Sequence, residues 1–486
     1  MGGKILAVAS EVFPLVKTGG LADVVGALPG ALAHHGVEMR VMVPGYPQIM
    51  AALKEAQPVH RYDDLFGGPA RILAGRTHGL DLLIVDAPHL FDRPGNPYLG
   101  PDGADWPDNW QRFAALSRAA ADMGQGAVKA FVPEIVQAHD WQAALAVAYL
   151  NFAPSPAAKT ILTVHNIAFQ GQFPATIFPS LGLPDAAFAI GGVEYYGGVG
   201  YLKGGLHYAD AITTVSPSYA DEITTPDYGM GLDGLLRARR DVLTGIVNGI
   251  DTAIWSPASD QHLALTYVPR NFIQRRQANK RAIEQRLGLQ EGDGPLFCVV
   301  SRLTWQKGMD LLVQCLDGLV GQGARLALLG AGEAALESDF KAAAAMYPGR
   351  IGVVIGYDES LSHLLQGGAD SILIPSRFEP CGLTQLYGLR YGCVPVVAHV
   401  GGLADTIVDA NEAALDQESA TGLKFAPVDT SALARAIDRA IRLYADRKAW
   451  NSIQKAGMKT DVSWEKSAKR YALLYKKLLE NRHEAR

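Results

Sequence analysis

The sequence predicts an α/β fold built from two doubly wound domains. Three observations carry this. Short apolar runs recur along the chain, and many are followed by apolar residues at helical spacing. The runs are apolar throughout rather than alternating, which fits strands of a parallel sheet covered on both faces. The length, 486 residues, is about three times a ~150-residue domain, and two large domains fit it as well as three small ones.

The elements follow in order. In the first half, 4–10, 38–46, 80–87, 134–139, 159–165 and 211–216 read as strands. In the second half, 296–301, 325–330, 350–357, 371–376 and 394–400 do. Leu21, Val24, Val25, Leu28 and Leu32 form a helical stripe, with Pro29 as its kink point. Leu433, Ile437, Ile441 and Leu443 form another, after Asp429, Thr430 and Ser431 as caps. Segment 245–257 (GIVNGIDTAIWSP) carries turn signals and leads to a polar stretch at 269–288. The domain boundary is therefore expected near 250: one domain at 1–250, a second at 251–463. Residues 464–486 form a charged amphipathic helix with Tyr471, Leu474 and Leu478 on one stripe.

Composition excludes several classes. Hydrophobic residues are 48% and charged residues 19%, unlike a disordered chain. The 52 glycines follow no G-x-y period, so collagen is excluded, and they point to tight turns. Lys and Arg total 44 against 49 Asp and Glu, with no basic block, which disfavours nucleic-acid binding. No apolar run approaches the ~18 residues of a membrane span. The apolar stretch after Lys4 ends at Ser10, too short for a signal-peptide core. The four cysteines, Cys298, Cys315, Cys381 and Cys393, have no C-x-x-C spacing, and a reducing cytoplasm is the expected compartment. The 12 histidines show no metal-ligand spacing, so no metal is expected.

Four segments carry chemistry. Lys17-Thr18-Gly19-Gly20-Leu21-Ala22-Asp23 follows the first strand and opens a helix. Glycines permit close backbone approach, and a helix start offers free N–H groups to a phosphate or sugar hydroxyl. It is not G-x-G-x-x-G, so dinucleotide redox chemistry gains little support. The bland reading is a tight turn with a solvated lysine. Ser301–Gly308 (SRLTWQKG) places Arg302 and Lys307 at a strand end, where two cations suit a diphosphate or stand as solvated charges. In 375–385 (PSRFEPCGLTQ), Glu379 stands at a strand end, and the N–H groups near Leu383 and Thr384 open a helix. His139-Asp140-Trp141-Gln142 and Thr163-Val164-His165-Asn166 each end an apolar strand. Glycine-rich GGLAD occurs at 19–23 and again at 401–405, by chance or as one helix start per domain aimed at a ligand.

KTGGLADV at 17–24, HDW at 139–141, TVHN at 163–166, VNGID at 247–251, SRLTWQKG at 301–308 and PSRFEPCGLTQLYGLRYG at 375–392 together resemble bacterial glycogen synthases and plant starch synthases. The resemblance runs end to end and in order. It implies the GT-B architecture, two Rossmann-like domains facing across a deep cleft, with 464–486 crossing back onto the N-terminal domain. It implies transfer of glucose from ADP-glucose to the non-reducing end of an α-1,4-glucan, with retention and release of ADP. It implies no metal or pyridoxal phosphate, and glycogen or maltodextrin as the partner.

The same resemblance assigns roles. Arg302 and Lys307 hold the donor diphosphate, joined by Gly19, Gly20, Gly382 and the amides of Leu383 and Thr384. Lys17, Gln306 and Cys381 lie at the donor. Glu379 contacts the transferred glucose, and His165 sits beside the reacting sugar. Asp140, Asn166 and Asn248 complete the sugar side. Tyr357 stacks on adenine, while Asp23 and Tyr98 face the acceptor. Many retaining GT-B enzymes carry Glu-x7-Glu, but the position eight after Glu379 is Tyr387. A front-face mechanism is therefore expected, the leaving diphosphate taking the acceptor proton. Cys381 is expected to be a reactive thiol beside Arg377. The alternatives are a same-fold transferase using UDP-glucose or a small acceptor, and a non-catalytic glucan-binding protein.

Overall fold

The computed structural model describes residues 3–154 and 158–484, the last four by backbone alone; the extreme ends of the expected domains lie outside this range. The chain divides into two compact units, Met1–Asn248 with Trp464–Arg486, and Gly249–Ser463.

The first unit is built on a nine-stranded sheet. Its strands are β1 (Lys4–Val8), β2 (Glu38–Pro44), β3 (Ala56–Tyr62), β4 (Ala70–Thr77), β5 (Leu80–Asp86), β6 (Ile135–His139) and β7 (Lys159–Val164). A separate three-stranded sheet comprises β8 (Gln172–Pro174), β9 (Glu194–Tyr195) and β10 (Gly198–Gly200). Strands β11 (Ala211–Thr214) and β12 (Leu243–Gly245) complete the large sheet in the order β12-β11-β7-β6-β1-β2-β5-β4-β3. All pairings are parallel except β3–β4 and β4–β5. The chain leaves β1 toward β2 on one side, and β6 flanks β1 on the other. Strand order therefore reverses between β1 and β6, and such a switch point opens a crevice at the carboxyl ends.

The second unit repeats the plan. Strands β13 (Leu296–Val300), β14 (Arg325–Gly330), β15 (Ile351–Ile355), β16 (Ser371–Ile374), β17 (Val394–Ala398) and β18 (Leu423–Phe425) run parallel in the order β15-β14-β13-β16-β17-β18. Its switch point lies between β13 and β16. These central strands are almost wholly buried, as continuous apolar runs under two helical layers must be.

Local chemistry explains the helices that frame the sites. Gly20–Ala33 starts from Gly19 in extended backbone and continues through Pro29 without ending. Thr430–Ala445 is capped by Asp429, whose side chain accepts from the Ala432 amide. The last helix, Trp464–Glu484, packs on Gly20–Ala33, buries Tyr471 and Tyr475, and bonds Tyr475 to Gln137 of β6.

Candidate active site

Each switch point carries a cluster of site residues. In the first unit, the chain leaves β1 through Ser10 and Glu11, leaves β6 through His139 and Asp140, and leaves β7 through His165 and Asn166. Burial holds both imidazoles neutral: His165 falls to about 3 and His139 falls well below its ordinary value. Their rings are joined, His139 Nδ1 to His165 Nε2, at 2.9 Å, so one nitrogen donates and the other accepts. The His165 amide donates to Asp140 Oδ1 at 2.6 Å. Burial pushes the Asp140 carboxyl up to about 7, against the amides of His165 and Asn166, which pull it down. Asp140 also sits at φ +55°, in the left-handed region that bulky residues avoid. Asn248 Oδ1 and His139 Nε2 are buried with no hydrogen-bond partner. Such orphaned polar atoms are costly in a folded protein and fit a site shaped for a ligand.

Glu11, which the motif reading missed, organises the Lys17–Asp23 turn. Its carboxylate accepts from the Thr18 hydroxyl at 2.6 Å, the Gly19 amide at 3.3 Å, the Thr18 amide and the Tyr98 hydroxyl. This alters two expectations. The Gly19 amide is turned to a carboxylate rather than standing open to a phosphate. The Tyr98 hydroxyl is turned inward to Glu11 and, at 2.8 Å, to Ser10, not outward to an acceptor. Lys17 and Asp23, expected at donor and acceptor respectively, form one ion pair at 2.8 Å. A partial signal for Glu11 existed in the sequence: an acidic residue just past an apolar strand and ahead of the glycine-rich 17–23 segment.

In the second unit, Lys307 Nζ meets Glu379 Oε2 at 2.5 Å, and Ser376 Oγ donates to the same oxygen at 2.9 Å. Lys307 follows β13 and Glu379 follows β16, so this pair spans the switch point. Arg302 is exposed, and among the described residues no ion pair engages it. Arg377 fastens the two loops. Its guanidinium grips Asp310 with two bonds of 2.7 Å, donates to the Trp305 carbonyl at 2.6 Å and lies over the Trp305 ring. Gln306 joins them through the Phe378 carbonyl and the Arg377 amide. Helix Thr384–Tyr391 starts beside this pair, with Gly382 at φ +72°. Among the described residues no acceptor takes the amides of Leu383 or Thr384, so the positive helix end faces outward.

Other expectations change in detail. Arg377 is committed to Asp310, so its charge is already balanced, and Cys381 is buried two residues before the helix cap Leu383. Gly401 and Gly402 do not mirror Gly19 and Gly20. A Cβ on Gly402 would stand 2.2 Å from the Cys381 carbonyl oxygen, and the Gly402 amide donates to Glu379 O at 3.0 Å. The second GGLAD therefore backs the Glu379 loop, whereas a Cβ on Gly19 would meet nothing within 4 Å. Tyr387 stacks on Trp255, with ring centroids 3.6 Å apart, so this position is used for packing. Tyr357 lies after β15, 82% exposed, its hydroxyl bonded to Glu359.

Comparison with known proteins agrees with this layout. Residues 4–238 match the starch synthase catalytic domain, and 280–456 match glycosyl transferases group 1. The chain is 60% identical over 479 residues to a glycogen synthase of Mesorhizobium japonicum, covering 99% of each. It is 60% identical over 476 residues to glycogen synthase 1 of Rhizobium meliloti, covering 98% of this chain and 99% of the relative. Among solved structures, the catalytic domain of starch synthase IV from Arabidopsis thaliana, bound to ADP and acarbose, superposes with TM-score 0.86 at 29% identity, covering 98% of this chain and 99% of that one. A sucrose-phosphate synthase from Thermosynechococcus elongatus shares the fold at TM-score 0.60 and 17% identity.

Proposed function

The chain belongs to the bacterial glycogen synthase and starch synthase family, and from that premise we infer how its two site clusters perform retaining glucosyl transfer. The enzyme transfers glucose from ADP-glucose to the non-reducing end of an α-1,4-glucan and releases ADP.

The observation that carries the mechanism is the Lys307–Glu379 pair beside exposed Arg302 and the open amides of Leu383 and Thr384. As the glycosidic bond to the diphosphate breaks, negative charge grows on the leaving oxygen and positive charge on the anomeric carbon. Lys307, Arg302 and the helix start stabilise the first, in a partly buried setting where such charges interact strongly. Lys17, Gly20, Gln306, Gly382 and Cys381 line the donor, and Tyr357 stacks on adenine. Glu379 holds the Lys307 ammonium and contacts the transferred glucose. His165, neutral because it is buried, binds sugar hydroxyls and does not serve as a proton donor near neutral pH. Asp140, Asn166 and Asn248 complete the sugar side. The acceptor hydroxyl attacks from the face the diphosphate leaves, and its proton passes to a diphosphate oxygen. No metal or pyridoxal phosphate takes part, and the enzyme works in the cytoplasm.

The test is incorporation of labelled glucose into glycogen from ADP-glucose and, separately, UDP-glucose. Strong ADP-glucose preference is expected, unchanged by EDTA, with a loss of at least ~100-fold in Glu379→Ala. Incorporation from UDP-glucose alone would overturn the donor. No incorporation from either, with glycogen still bound, would leave a binding protein. A trapped glucosyl–Glu379 adduct would sink the front-face step.

A further inference from the structure

His139 closes β6 beside the site, and no step above uses it. The sheet register pairs it with Thr163 of β7, two residues before His165. That register brings the two imidazoles together, with ring centroids 5.2 Å apart and planes at 31°. The dipeptide His139-Asp140 therefore holds His165 twice. Asp140 takes its backbone amide at 2.6 Å, and His139 meets its ring, Nδ1 to Nε2, at 2.9 Å. His139 is fully buried, whereas His165 keeps 9% of its surface exposed.

One proton lies between the two rings, and it belongs to one of two nitrogens. Each neutral imidazole carries a single N–H, and the bond made at one nitrogen decides which of the two holds it. If His165 donated from Nε2, His139 would accept at Nδ1 and carry its own proton on Nε2. That Nε2 is sealed from solvent and meets no partner among the described residues. A buried N–H with nothing to donate to is the rarer defect in folded proteins, rarer than an unmatched acceptor. The opposite arrangement leaves His139 Nε2 as a bare lone pair and puts the shared proton on its Nδ1. His165 then accepts at Nε2, so its own proton sits on Nδ1. Among the described residues nothing bonds His165 Nδ1, and it is not one of the sealed polar atoms. The N–H of His165 thus opens to the site.

We propose that His139 is a positioning residue that fixes the tautomer of His165: it donates from Nδ1 to His165 Nε2, and His165 presents Nδ1–H to a hydroxyl oxygen of the transferred glucose. The proposal rests on the glucosyl-transfer reading and deepens it. No proton changes hands, because His165 only gives a hydrogen bond. In the other tautomer the ring would face the same hydroxyl with a lone pair, and the sugar would have to turn its O–H inward.

Long-range proton–nitrogen NMR of the full chain, carrying nitrogen-labelled histidine, reads each ring nitrogen as protonated or bare. Loss of one set of signals in His165→Gln, and of another in His139→Asn, assigns the two rings. In the parent both are expected to be protonated at Nδ1 and bare at Nε2. A proton on His165 Nε2 would overturn the proposal, and so would a second proton on either ring near neutral pH. Incorporation kinetics read the consequence. His139→Asn keeps an N–H donor near the Nδ1 position and is expected to keep kcat within ~3-fold, whereas His139→Leu removes the donor and is expected to lower kcat by ~10-fold or more, with the glycogen KM unchanged in both. Thermal melts accompany them, since a packing role alone would lower Tm and kcat together in both variants. Equal kcat in the two variants would overturn the proposal, and a Leu variant that fails to fold leaves the decision to the parent spectra. If the spectra show the expected tautomers while neither nucleotide sugar supports incorporation, the His139–His165 assignment stands and the transfer reading falls.

Discussion

Asp140 shows at the scale of one residue how the site trades stability for chemistry. Its carboxyl is raised from 3.8 to about 7, chiefly by burial. The folded state thus holds this proton more tightly than the unfolded chain does. The sign follows: burial of Asp140 is harmless below about pH 4, costs stability as pH climbs, and costs it fully above about 7. In the mechanism proposed above, the compensation is a buried carboxylate on the sugar side of the site. The kcat/KM of the parent is therefore expected to fall on the acid side with an apparent pKa about 7. Asp140→Asn keeps an oxygen for the His165 amide and removes the buried charge. At pH 8 it is expected to gain about 1–3 kcal/mol in stability while losing most activity. Denaturant titrations and pH–rate profiles read the two effects separately. A profile flat from pH 6 to 8, or an Asn variant less stable than the parent, would refute the assignment. Glu11 makes the complementary point. Its position past an apolar strand was legible, but its role was not, because its partners Thr18, Gly19 and Tyr98 meet it only in the fold.

At the scale of elements, every apolar run became a strand, and most stop one or two residues short of the run. The reason is functional. Ser10, His165, Ser216, Ser301 and Ser376 lie just past the last ladder residue, where the chain turns toward a helix. Strands β3 and β4 escaped the reading because they form an exposed antiparallel edge with mixed polarity. Strands β8 to β10 escaped because none exceeds three residues. The site loops after β1, β6, β7, β13 and β16 were legible, since glycine, histidine and charge gather at those strand ends. Their fasteners, Arg377 to Asp310 above all, were not, because 67 residues separate them in sequence. The two GGLAD segments yield a paired prediction. Gly402→Ala forces a Cβ against the Cys381 carbonyl and displaces the Glu379 loop. It is expected to lower both Tm and kcat. Gly19→Ala meets open space at an extended φ of −155° and is expected to cost at most about 1 kcal/mol as a poorer helix cap. If its ADP-glucose KM nevertheless rises at least ~10-fold, the glycine is required by ligand approach rather than by the fold. Unchanged KM in Gly19→Ala would agree with the Gly19 amide being held by Glu11 rather than by the donor.

At the scale of the molecule, the chain enters the first unit, builds the whole second unit, and returns. The second unit is contiguous, Gly249–Ser463, whereas the first needs its final helix. That helix supplies Ala468, Tyr471 and Tyr475 to the core of the first unit. It also joins Ser467 to the Val247 carbonyl and Tyr475 to Gln137. Gln137 in turn donates to Thr163 of β7 at 2.8 Å, so the helix reaches the strands that carry His139 and His165. Removing one buried aromatic typically costs about 3–5 kcal/mol, and a domain holds only about 5–15 kcal/mol in all. A chain ending at Ser463 is therefore expected to lose the first unit selectively. Hydrogen exchange should show protection lost in β1, β6 and β7 and kept in β13, β14 and β16. Glucosyl transfer should disappear while ADP binding by the second unit is retained. Uniform loss of protection would mean that the two units unfold as one, and full protection of β6 would mean that the helix is dispensable to the sheet it covers.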